Sequence, residues 1–180
     1  MTMRTAAILA ACAGLLAAQD APPAAPKPGP EHGLLARFEG EWDCEFEACM
    51  APGQSPVKST GRMTGRRIGG FWAVVALTGE MGGVPYAGQG TFGYDSKTKR
   101  YVGVWADSMS EHFWKYDGSA DAGRLALDSK GPNPEDPGRL IQFRDTWDLS
   151  ADGRIVLASE VEGPDGKMMP CMKMTCTRRK

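Results

Sequence analysis

Trp42-Asp43-Cys44-Glu45-Phe46-Glu47-Ala48-Cys49 alternates between two kinds of side chain. Trp42, Cys44, Phe46 and Ala48 form one set, and Asp43, Glu45, Glu47 and Cys49 form the other. Successive side chains of a strand point to opposite faces, so this is a strand with one dry face and one wet face. Near the other end, Cys171-Met172-Lys173-Met174-Thr175-Cys176 repeats the pattern, with Met172, Met174 and Cys176 on the apolar set. Both segments carry cysteines in a C-x4-C spacing. Antiparallel partners have residue numbers with a constant sum. Cys44 with Cys176 and Cys49 with Cys171 both sum to 220. One register therefore sets both pairs opposite each other. The faces agree too: Cys44 and Cys176 belong to the inward set, Cys49 and Cys171 to the outward set.

A four-cysteine zinc site is the competing reading. Five residues along a strand span roughly 17 Å and end on the opposite face. Zinc–thiolate bonds are about 2.3 Å, so one ion cannot gather four thiolates from two regular strands. Two disulfides joining the first strand to the last, Cys44–Cys176 and Cys49–Cys171, are expected instead. Positions five apart in an antiparallel ladder alternate between hydrogen-bonded and non-hydrogen-bonded sites. Either one bridge is strained or a bulge intervenes.

Between these ends the chain reads as short strands: about ten, near 42–50, 57–68, 71–79, 84–94, 100–107, 111–118, 123–130, 139–149, 154–162 and 167–178. Turn signals recur every 8 to 15 residues, and no long helical pattern intervenes. A meander this long closes or splits into a sandwich, and closure removes the exposed edges. The expected fold is all-β: a single closed antiparallel up-and-down barrel. One short helix precedes it at 31–38, after Pro30, with Leu34, Leu35 and Phe38 on its apolar face. It is expected to cap one barrel mouth.

The N-terminus reads as a targeting segment. Met1 to Arg4 is a short basic region, and Thr5 to Ala18 is an apolar run of 14 residues. That run is too short to span a bilayer as a helix and suits a signal peptide ending at Ala18. Leu9-Ala10-Ala11-Cys12 also resembles a lipobox, in which Cys12 would carry lipid and anchor the protein to a membrane. Residues 19–30 hold five prolines in 12 positions and form a spacer. The domain is then 31–180, in a periplasmic or extracellular protein or a membrane-anchored lipoprotein. Losing Arg4 takes the formal charge from −1 to −2, with no basic stripe that would suit nucleic acid. Oligomeric state is left open.

Several segments share an order and spacing with a known family. These are Glu31-His32-Gly33-Leu34-Leu35 with Gly40-Glu41-Trp42, Gly69-Gly70-Phe71-Trp72, Gly93-Tyr94-Asp95, Arg100-Tyr101-Val102-Gly103 with Trp105, Asp107-Ser108-Met109, Arg144-Asp145 and Asp165-Gly166-Lys167. Together they resemble the domain of unknown function 1579 family, over nearly all of 31–180. The resemblance implies a calycin-like barrel, related in shape to lipocalins and fatty-acid-binding proteins, and implies no activity. The four cysteines lie outside that pattern.

Candidate site residues follow from strand faces. Asp145 sits among Ile141, Phe143, Trp147 and Leu149, so its carboxylate points inward. There it anchors a ligand or is tied to an arginine or to backbone amides. Trp105 and Asp107 share one face, and His112, Trp114 and Tyr116 share another. Aromatics with a few polar groups line small-molecule pockets, and they also fill barrels that bind nothing. The two histidines, His32 and His112, cannot build a three-histidine metal site. No catalytic or nucleotide-binding fingerprint is present, and no cofactor is expected. The leading expectation is a barrel that binds a small hydrophobic or amphipathic molecule. The alternatives are a structural, envelope-associated domain with a filled core and, behind it, an enzyme resting on Asp107, His112 and Asp145.

Overall fold

The computed structural model describes residues 25–49 and 55–180. The expected signal peptide and Cys12 lie outside them. Ten strands are found among the described residues: β1 (Gly40–Ala48), β2 (Val57–Ile68), β3 (Trp72–Met81), β4 (Val84–Asp95), β5 (Arg100–Asp107), β6 (Ser110–Asp121), β7 (Arg124–Asn133), β8 (Asp136–Asp148), β9 (Arg154–Glu162) and β10 (Met168–Arg178). Each pairs with its sequence neighbour, and β1 pairs with β10 to close the barrel. Every ladder is antiparallel, as hairpin connections require.

β1 and β10 meet in the expected register, with Trp42 opposite Arg178, Cys44 opposite Cys176 and Ala48 opposite Met172. Cys44 and Cys176 form a disulfide across the seam. Their Cα atoms are 4.1 Å apart, close to the spacing of a non-hydrogen-bonded pair. Both side chains are buried.

The second expected bridge is not formed: Cys49 and Cys171 are free thiols. The two residues do lie opposite each other, and the Cys49 N–H donates to the Cys171 carbonyl at 2.9 Å. The facing rule fails at Cys171 instead. The β9–β10 register shifts between Pro170 and Met172, so Cys171 occupies a β-bulge. A bulged residue leaves the strict alternation. The Cys171 thiol turns inward and contacts the Ser159 carbonyl at 3.3 Å, while Cys49 stays exposed outside.

The helix is shorter than the sequence suggested. One α-turn, α1 (His32–Leu35), runs into a 3-10 turn over Ala36–Phe38. It nevertheless plugs one barrel end. Leu35 and Phe38 are fully buried, and Leu34 packs partly against the same core. The plug is fixed by polar contacts as well. The Trp42 indole N–H donates to the Phe38 carbonyl at 3.1 Å, and the Tyr101 hydroxyl donates to the Glu31 carbonyl at 2.9 Å. His32 is buried and its Nδ1 accepts the Gly29 N–H at 2.9 Å, a backbone tie rather than a ligand role.

The plug determines where the core lies. At that end the inward positions of the strands carry Trp42, Met63, Val75, Leu125, Leu127, Ile155 and Met174, all fully buried. Phe38 stacks on Phe92 at 5.8 Å and meets Trp147 edge-on at 5.2 Å. These three rings form a floor across the barrel. Outward positions carry ion pairs such as Lys58–Glu47 and Arg144–Asp128, both solvent-exposed and therefore worth little to stability.

Candidate functional site

Beyond the aromatic floor the described residues leave the barrel unfilled. A cavity of about 320 Å³ occupies the half away from α1. Its walls come from β1 and from β3 through β10. Eight aromatic residues line it: Phe46, Tyr86, Phe92, Trp105, Trp114, Tyr116, Phe143 and Trp147. Met81, Met109 and Met172 add flexible apolar surface. A larger hollow of about 490 Å³ lies outside, over β1, β2 and β10. It lies on the outer face of the barrel among the exposed charges of Asp43, Glu45 and Arg62.

Small residues make the space for the large rings. Trp105 lies over Gly88 and Gly90 of β4, where an added Cβ would stand 2.6 and 2.5 Å from the indole. The tip of Trp114 occupies the place of a side chain at Gly131, 2.2 Å from an added Cβ. Glycines at inward strand positions mark such close approaches. The Trp114 ring also meets Phe143 edge-on at 5.0 Å.

Asp145 is the polar centre. Its side chain points inward, and among the described residues neither an arginine nor a backbone amide holds it. The Tyr116 hydroxyl donates to one carboxylate oxygen at 2.8 Å, and the Ser159 hydroxyl donates to the other at 2.5 Å. Burial pushes the Asp145 carboxyl above its ordinary pKa, and the two hydroxyls oppose that rise. The Tyr116 hydroxyl is pushed up in turn, first by burial and then by Asp145 beside it. Tyr86 is raised by burial and by Asp107, while a hydrogen bond with Trp105 works the other way. Burial, helped by Asp145, pushes the Cys171 thiol up to about 11. Asp107 stands nearer the mouth and accepts the Met109 N–H at 2.9 Å. The Ser129 hydroxyl is buried against the same cavity with no hydrogen-bond partner among the described residues.

Five of the six candidate binding residues thus come together: Trp105, Asp107, Trp114, Tyr116 and Asp145. His112 does not line the cavity. The β5–β6 register shifts between Trp105 and Asp107, so Asp107 pairs with Ser110. The bulge leaves the His112 ring edge-on to Trp114 at 5.0 Å, with Nε2 on the Lys130 carbonyl at 2.8 Å. Tyr86, Ser129, Ser159 and Cys171 are lining residues that periodicity did not single out. The inward glycines Gly88 and Gly90 were the available signal for Tyr86, which shares their face. Among the described residues, no three His, Cys, Asp or Glu side chains converge as metal ligands, and no helix is long and apolar enough to cross a membrane.

Comparison with solved structures places the barrel beside the crystal structure of Rv2717c from M. tuberculosis. The two are 11% identical with a TM-score of 0.57, over 84% of this chain and 99% of that one. That likeness is one of fold. Two redesigned β-barrels also match at 12% identity. The first has a TM-score of 0.43, over 82% of this chain and 96% of that one. The other, mFAP0 bound to DFHBI, has a TM-score of 0.41, over 79% and 99%. A search of curated protein sequences finds no match. The motifs quoted from the sequence do find their family: its model spans residues 27–178, and the chain belongs to the family described as protein of unknown function (DUF1579).

Proposed function

We propose that the protein holds a small amphipathic molecule in the cavity above the aromatic floor. The observation that carries this reading is the asymmetry of the interior. One half is filled by the plug and the fully buried side chains around it, whereas the other leaves about 320 Å³ around a half-buried carboxyl. That volume is at the lower end of small-molecule pockets, which run about 300–1,000 Å³. An apolar wall with a few convergent polar groups is also their usual chemistry. A domain serving only as a filled scaffold has no need of an inward-pointing acid, whose desolvation works against folding.

Trp105, Trp114 and Trp147 in the wall supply the readout. An apolar probe that enters the cavity should quench tryptophan fluorescence saturably, and Trp105→Ala should weaken its binding. A linear, non-saturating response across a panel of lipids and aromatics counts for the filled scaffold instead.

We further infer that the protein works outside the reducing cytoplasm. The Cys44–Cys176 disulfide supports this, since such bridges persist in oxidising compartments. The signal-like segment at 1–18 agrees with it. The mass of the mature N-terminus separates cleavage after Ala18 from lipidation at Cys12.

A further inference from the structure

We propose that the cavity is selective for organic cations: an apolar or aromatic body carrying an ammonium group, bound between the aromatic wall and the carboxylates of Asp107 and Asp145. This deepens the binding reading above and rests on it.

The first ground is charge. Among the described residues, the only formally charged side chains in the wall are Asp107 and Asp145; no lysine, arginine or histidine lines it. Both carboxylates act on the same space, because each raises the Tyr86 hydroxyl on β4 and the Tyr116 hydroxyl on β6. The titratable groups facing the cavity are therefore Tyr86, Asp107, Tyr116, Asp145 and Cys171. None of them is cationic in any protonation state.

The second ground is the direction of the hydrogen bonds. Tyr116 and Ser159 have already committed their protons to Asp145. What they leave toward the cavity is acceptor oxygen. A carboxylate or phosphate ligand would meet two acids. An ammonium group brings donors and the missing charge. The aromatic rings add to this, since a ring face attracts a cation, most strongly in a tryptophan and where water is excluded.

The third ground is Ser129. Its hydroxyl is buried, faces the cavity and has no hydrogen-bond partner among the described residues. A buried hydroxyl without a partner is unfavourable. It can accept a hydrogen bond from a bound donor, as the carboxylate oxygens can, or donate one to a ligand oxygen.

The test compares three probes of one shape and different charge: 4-phenylbutylamine, 4-phenylbutan-1-ol and 4-phenylbutanoate. Each is titrated at about pH 7.5 into the oxidised full-length mature protein, followed by tryptophan fluorescence. The amine should bind about tenfold more tightly than the alcohol, the scale of one desolvated cation–π or charge contact. The carboxylate should bind weakest. Asp145→Asn and, separately, Asp107→Asn should each erase most of the amine's advantage over the alcohol. Asp107 sits toward the mouth, so D107N keeps the test valid if D145N fails to fold. Saturable binding of all three with equal affinity, or tightest binding of the carboxylate, overturns the charge selectivity while leaving the binding reading intact. No saturable binding by any of the three overturns both.

Discussion

Removing the bridge between the first and last strands gives the strongest expected change in stability. Cys44 and Cys176 are 132 residues apart in sequence, so their bond closes nearly the whole domain into one loop. In the chain-entropy model, closing a loop of that length takes about 5 kcal/mol of freedom from the unfolded chain. A domain of this size gains or loses about 2–4 °C in its thermal midpoint per kcal/mol. The C44A/C176A variant should therefore melt about 10–20 °C below the wild type under non-reducing conditions. The C44A single variant breaks the same crosslink and removes half the buried sulfur. Near-equal midpoints for the single and double variants would assign the loss to the crosslink and not to packing. The barrel should still close in both, because the β1–β10 ladder runs from Trp42–Arg178 to Ala48–Met172 without the bridge. Far-UV circular dichroism before melting checks that. A drop of less than about 3 °C, or an equal drop in C49A/C171A, would refute the reasoning, since that second pair carries no bond.

Three further outcomes are expected. Leu35→Ala should destabilise by about 2–5 kcal/mol in urea denaturation, because Leu35 is fully buried in the plug and its truncation removes apolar contacts there. Cys49 should react with a thiol reagent well before Cys171: with a pKa pushed up to about 11, Cys171 is only about 0.1% thiolate near pH 8, and peptide mapping after a short pulse reads the difference. Asp145→Asn should change how stability depends on pH. The native carboxyl has a raised pKa, so the native state keeps a proton that the unfolded state has lost. Wild-type stability from this group is therefore full below the unfolded value near 3.8 and falls as pH rises toward the native pKa. The stability of the wild type minus that of D145N should decline over that window; a difference that grows with pH would contradict the burial argument.

The barrel was legible because closure leaves a local trace at each end. β1 alternates along its length and β10 from Met172 onward, and one register joins Cys44 to Cys176. Turn glycines bounded the strands between; Gly69 and Gly70, both with positive φ, make the β2–β3 turn. The site was only half legible. Trp105, Trp114, Tyr116 and Asp145 follow from alternation alone. Alternation fails at bulges, and the two that matter here fall beside the cavity. One turns Cys171 inward and the other detaches His112. Ser129 and Ser159 were invisible for a different reason. A serine on a strand reads the same whether it faces water or holds an inward carboxylate. Nor does a pattern of apolar residues tell a packed interior from a lined one; that depends on how Phe38, Phe92 and Trp147 meet across the barrel.

Native mass spectrometry of the protein purified from its own cells, without unfolding, tests the central claim most directly. A cavity that serves to bind should retain a small molecule as a non-covalent adduct under gentle ionisation. The adduct should leave on mild activation, and a wall-filling Ser129→Phe variant should lack it. Its charge state then bears on the cation proposal as well. Bare protein from its native source, unchanged by any added apolar or cationic probe, would contradict the account and leave the space above the aromatic floor without a role in binding.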